Sequence, residues 1–182
     1  MHLRQVAGSV TFPAHFLLVM AMNPCPCGYY GDSKRACTCA EAAISRYQRR
    51  ISGPLPDPLD IFSDVPRVEY EELTGDQTGE HSTTVRERVK ATRAVQSARF
   101  EGTTLISHSE MEPQEVRTYC QEPLAEEAQS LLASAMEQLA LSARAFHRVL
   151  KVARTVADLA ESETIETVHL AEAIQYRRRG QG

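Results

Sequence analysis

FLLVMAMNPCPCGYYGDSKRACTC, residues Phe16 to Cys39, joins an apolar run to a loop framed by cysteines. The run Phe16–Met22 is too short for a membrane span and lacks the alternation of a half-solvated strand. It predicts a fully buried strand of a parallel sheet covered on both faces. Pro24 cannot donate to a ladder and restrains Asn23 toward an extended backbone, so the strand is expected to end there. Asn23 would then present its amide at the carboxyl edge of the sheet, where open α/β folds bind ligands.

Behind that edge, Cys25-x-Cys27 and Cys37-x-Cys39 place four thiols within fifteen residues. Four thiolates at the two ends of one loop can close a tetrahedral zinc site and staple the loop. The C-x-C spacing is tighter than the commoner C-x₂₋₄-C, so free thiols and disulfides stay open as alternatives beside zinc. Cys120 stands alone and is expected to be a buried small hydrophobe.

Outside this stretch the chain is ordinary for a globular protein: 182 residues, 42% hydrophobic, 24% charged, net charge −4. That charge argues against a generally basic nucleic-acid binder but leaves room for a local patch. No secretory signal or spanning segment is visible, so a cytoplasmic location and no membrane partner are expected. In that reducing compartment metal-bound or reduced cysteines are favoured over disulfides.

Upstream, Val10-Thr11-Phe12 predicts a short strand or hairpin arm. A central strand so near the start has no partners before it, which leads to the expectation of an amino-terminally truncated sheet. Downstream, AEAAISRYQRRI (40–51) spaces Ala43, Ile44, Tyr47 and Ile51 as a helix, closed by Ser52-Gly53-Pro54. A turn and a short strand near 60–65 follow, then an exposed polar loop at 74–81. Thr84 and Glu87 suggest a capping box for a helix reaching about Phe100. Glu112-Pro113 and Glu122-Pro123 each put proline at a first helical position, and Ser142 can cap ARAFHRVLKVARTVADLA. A last helix is expected over 168–178, completing a compact helical bundle. Arg144, His147, Arg148, Lys151 and Arg154 make a basic stripe, read either as a solvated face or as a phosphate contact. The other histidines show no metal spacing.

LVMAMNPCPCGYYGD, ISRYQRRISGPLPDPLDI and LSARAFHRVLKVARTVADL…HLAEAIQYR resemble the C-terminal half of Mg-chelatase-like AAA+ ATPases of the ComM (YifB) type. The resemblance runs from about Gly8 to Arg178. It implies an α/β fold: the last strands of a P-loop-type sheet, followed by an all-α helical lid. It divides the chain into residues 1–72 (core), 73–112 (linker and helix) and 113–182 (lid). It implies hexameric ATP- and Mg²⁺-dependent motors that act on DNA in branch migration during natural transformation. Asn23 resembles the sensor-1 residue that places the attacking water, and Arg144 the sensor-2 arginine on phosphate. Where family sequences read GPLLDRID, this one reads Gly53-Pro54-Leu55-Pro56-Asp57-Pro58-Leu59-Asp60, so Pro58 replaces the trans-acting finger arginine. No G-x-x-x-x-G-K-[ST] loop and no strand ending in paired acids occur in these residues.

Two functions fit. One is the sensor-and-lid portion of a motor ATPase that works in a homo-oligomeric ring or beside a complementary segment carrying the phosphate loop. The other is a non-enzymatic, zinc-stapled module that binds protein or nucleic acid. A porphyrin-metallating role fits the CPCG loop less well.

Overall fold

The computed structural model describes residues 2–5, 8–11, 16–51, 59–65, 67–68, 70, 74 and 79–177. The chain divides into two units, Met1–Asp57 and Pro58–Gly182. The Gly53–Pro58 turn, residues 75–78 of the polar loop and Arg178–Arg179 of the basic tail lie outside the described residues.

In the first unit, β1 (His2–Gln5) and β2 (Gly8–Thr11) pair antiparallel, with His2 opposite Thr11 and Gln5 opposite Gly8. This is the predicted hairpin arm. The cysteine loop follows, then α1 (Glu41–Ile51). Residues 16–22 depart from expectation: they form no strand, and Phe16, Leu17 and Val19 are 75%, 90% and 80% exposed. A buried parallel strand is made by its neighbours, and among the described residues none lies alongside it. The expected remnant of a parallel sheet is therefore absent from the described residues.

The second unit is helical. It comprises α2 (Ser82–Arg99), a 3₁₀ turn His108–Glu110, α3 (Pro113–Val116) running into a π turn Arg117–Gln121, α4 (Glu126–Gln138), α5 (Ala143–Leu159) and α6 (Thr167–Gln175). The short strand expected near 60–65 is not formed; Phe62 instead donates its N–H to the Tyr176 carbonyl at 2.8 Å. His81, not Thr84, caps α2, accepting from the Thr83 N–H. Pro113 takes the first helical position as predicted. Pro123 does not: its carbonyl accepts the Ile165 N–H at 2.9 Å, and Leu124 forms a parallel bridge with Ile165. That bridge ties the segment before α4 to the segment before α6.

Helix α5 is the axis of this unit. Ser142 Oγ accepts the Ala145 N–H and opens the helix. Val149, Leu150, Ala153 and Ala157 are buried at three- and four-residue steps, packed with Val116, Leu132, Ile165 and Leu170. The helix ends with Ser162 N–H on the Ala157 carbonyl and Glu161 N–H on the Asp158 carbonyl. Glu161 lies at φ 56, so this is a Schellman stop with a non-glycine residue in the left-handed position. Helix α4 ends the same way on Ala140, at φ 45, with Leu141 N–H on the Met136 carbonyl.

Polar side chains are also buried here. Arg154, four residues before Asp158, is 1% exposed and donates to Asp158 Oδ1 at 3.0 Å and to the Glu163 and Ser162 carbonyls. Arg99, at the end of α2, grips the same carboxylate with both Nη atoms, at 2.5 and 2.6 Å. His108 sits 2.8 Å from Arg99 Nη1 on one ring nitrogen and 2.8 Å from Thr155 Oγ1 on the other. One carboxylate thus joins α2, the 3₁₀ turn and α5. Removing one partner of so buried a set leaves uncompensated charge, which costs several kcal/mol.

Burial pushes His108 down to about 4, with Asp158 opposing and Arg99 and Arg154 reinforcing the shift. The unfolded chain therefore binds an extra proton between about pH 6.5 and 4, so stability is full above that window and falls as pH drops through it. The expected loss attributable to His108 is up to about 3 kcal/mol. Urea unfolding of the chain at a series of pH values, against His108→Gln, tests this: the variant should show a distinctly shallower acid decline. An unchanged decline would contradict it.

Candidate metal centre

The loop between Cys25 and Cys39 is built by tight local hydrogen bonds. Gly28 donates its N–H to the Cys25 carbonyl at 3.0 Å and lies at φ +85, a backbone region that favours glycine. Asp32 N–H donates to the Tyr29 carbonyl, and Asp32 Oδ1 accepts from the Lys34 and Arg35 N–H groups, both at 2.8 Å. The Arg35 guanidinium lies 4.0 Å over the Tyr29 ring and donates to its hydroxyl at 2.7 Å. These turns fold the loop back so that its two C-x-C ends meet.

All four predicted ligands converge: the sulfur atoms of Cys25, Cys27, Cys37 and Cys39 lie within 4.8 Å of one another. Cys25 Sγ is 3.3 Å from Cys27 Sγ and 3.7 Å from Cys37 Sγ, and Cys27 and Cys37 are 3.5 Å apart. A tetrahedron with Zn–S bonds of about 2.3 Å has S···S edges of about 3.8 Å. The cluster is therefore already near the geometry of a closed tetrathiolate site. None of the five cysteines is joined to another in a disulfide. Cys25 is buried and the other three ligands are half-buried.

The thiols titrate as a set. Hydrogen bonds from the backbone of Tyr29 and Thr38 draw Cys27 down to about 5. The Cys39 backbone pulls Cys37 the same way, but burial and the neighbouring thiols outweigh it and push Cys37 up to about 12. Against its burial, hydrogen bonds to the Tyr30 backbone and the Cys37 thiol also draw Cys25 below its ordinary value, and Cys39 is raised, so two thiols favour the anion and two resist it. These residues fit a zinc ion in a structural role, which would hold the loop and open no position for substrate.

The other predicted site residues lie apart from this cluster. Asn23 is exposed just before Cys25, with its side chain 3.9 Å from where a Cβ on Gly28 would stand. Arg144 is exposed in the first turn of α5. The basic stripe that begins there is largely structural: Lys151 Nζ donates to the Ser109 carbonyl at 3.0 Å, Arg148 is 3.7 Å from Asp60, and Arg154 is buried on Asp158. Cys120 is fully buried, as expected, and burial pushes its thiol up to about 12. Sequence reasoning missed His108 and the Arg99–Asp158 pair; the i, i+4 step from Arg154 to Asp158 was the available signal.

Similarity to known proteins bears on both units. The family model for the magnesium chelatase subunit ChlI matches residues 1–73, and its C-terminal model matches residues 79–177. The chain belongs to the magnesium-chelatase-like family, in its ComM/YifB-type branch. It is 40% identical over 171 residues to competence protein ComM of Haemophilus influenzae, covering 92% of this chain and 32% of that protein. It is 37% identical over 177 residues to YifB of Escherichia coli, covering 97% of this chain and 33% of that one. The chain thus spans about a third of the length of the curated relatives it matches. Among the described residues, no helix is long and apolar enough to cross a membrane.

Zinc, measured by elemental analysis of the purified chain, is expected at about one per chain, and at a small fraction of that in Cys25→Ser. Chelation should abolish ordered amide signals of the 25–51 segment while leaving the helical signal of the second unit intact. Fully protected, metal-free 25–51 amides would refute the assignment.

Proposed function

We propose that this chain is the sensor-and-lid portion of a ComM-type, Mg-chelatase-like AAA+ ATPase that works on DNA and does not hydrolyse ATP alone. The observation that carries this reading is the order of the two family matches, residues 1–73 and then 79–177, with the CPCG loop, Cys25 to Gly28, inside the first. Asn23 is proposed to orient the attacking water and Arg144 to contact phosphate, once a phosphate-loop segment supplies the nucleotide and Mg²⁺. The same segment would supply strands beside residues 16–22. Their exposed apolar side chains would gain by burial in a sheet, and this supports the α/β reading of the complete assembly.

The tetrathiolate cluster supports a structural role for zinc beside the nucleotide machinery. It also favours a second reading, in which the first unit is a zinc-stapled binding module with no catalytic task. The two readings differ in what they require of ATP.

The chain by itself is expected to show no Mg²⁺-dependent ATP turnover above background. Mixed with a family segment carrying G-x-x-x-x-G-K-[ST], it should give turnover that falls by on the order of 10² or more in Asn23→Ala. Turnover by the chain alone would overturn the first reading. So would a mixture that binds tightly yet hydrolyses equally well with Asn23→Ala.

A further inference from the structure

The charges of this chain are divided very unequally. Residues 1–51 hold six Lys/Arg against two Asp/Glu, a net of +4, while residues 52–182 hold fourteen against twenty-two, a net of −8. A zinc ion on four thiolates would add −2 to the first segment and leave it positive. Such asymmetry within one chain is a signature of an anionic partner for the basic part.

Half of the first segment's cations sit on one face of one helix. Arg46, Arg49 and Arg50 follow the i, i+3, i+4 pattern on α1, and all three are exposed. Among the described residues none of the three has a carboxylate or other hydrogen-bonding partner. Like charges at that spacing repel. The helix dipole favours Arg49 and Arg50 in the last turn but offers nothing to Arg46. Ala42 and Ser45 precede the triplet on the same side, and with it they line a shallow hollow of about 460 Å³. Small side chains beside three guanidiniums let an extended chain of phosphates approach the helix closely.

The rest of α1 faces elsewhere. Ile44 is buried, and Gln48 Nε2 donates to the Pro24 carbonyl at 3.2 Å, which holds the helix on the cysteine loop. Cys39 lies two residues before the first residue of α1, so a metal held by the four thiols would also fix where the arginine face starts.

We propose that the Arg46/Arg49/Arg50 face of α1 docks the phosphodiester backbone of a nucleic acid, on a platform stapled by the cysteine cluster. The inference rests on the DNA reading above and assigns it a surface. Guanidiniums suit this task because each offers a permanent charge and a forked pair of donors to phosphate oxygens. The contact reads charge and spacing, with no base recognition.

Fluorescence anisotropy of a labelled single-stranded oligonucleotide with the full 182-residue chain, between about 50 and 300 mM salt, tests the proposal. The chain should bind with log K falling linearly in log salt. Arg46→Gln/Arg49→Gln/Arg50→Gln should weaken binding on the order of 10- to 100-fold at 100 mM salt and flatten the slope by about 2 to 3. The matching Arg→Lys triple variant, which keeps the charge, should retain most of the slope, and circular dichroism should show both variants as helical as the parent. If the Gln variant binds with unchanged affinity and slope, α1 is not the surface, although the DNA reading survives. If the parent chain fails to bind at the lowest salt, both fall. If millimolar ATP displaces the oligonucleotide from these arginines, the face belongs to a nucleotide and the proposal is wrong.

Discussion

Four sulfur atoms lie within 4.8 Å of one another in a unit whose described residues bury almost no apolar side chains. Among the described residues of Met1–Asp57, only Cys25 and Ile44 are buried hydrophobics. Burial of two side chains, at about 1.5–3 kcal/mol each, cannot offset the entropy of ordering more than thirty residues of loop and helix. A metal–thiolate centre can, because its binding free energy appears directly as folding free energy. Such a closure would fix both Asn23, two residues before the cluster, and the start of α1, two residues after it.

The second unit solves the same problem by other means. Its core is continuous along α5, and the left-handed stops at Ala140 and Glu161 bend the chain into short links between α4, α5 and α6. Asp158 then draws α2 and the His108 turn onto that frame through Arg99. The buried set is well satisfied: the carboxylate receives two guanidiniums, and Arg154 spends its remaining donors on the carbonyls of the Glu161–Glu163 turn region. One unit is thus held by a proposed ion and the other by packing with a polar clasp.

Much of this was legible in the sequence. The helices of the bundle follow the apolar period, and Ser142 and Pro113 act at the helix starts they mark. The four cysteines converge as their paired spacing suggested. What misled was of two kinds. The Phe16–Met22 run describes the surroundings a strand needs, and those surroundings are absent from the described residues. Arg154 and Asp158 look like solvated charges on a helix surface, because sequence spacing does not reveal that Arg99, fifty-nine residues away from Asp158, reaches that carboxylate from another helix. Pro123 looked like a helix opener, yet the chain uses its carbonyl in the bridge to Ile165 and starts α4 at Glu126.

The proposed closure of the cysteine loop by zinc is defined by the atoms that would surround the ion. X-ray absorption at the zinc edge of the intact chain addresses it without any variant or partner. The predicted spectrum is a single shell of four sulfur neighbours at about 2.3 Å. A shell dominated by nitrogen or oxygen at about 2.0–2.1 Å, or a folded chain with no zinc signal, would contradict it.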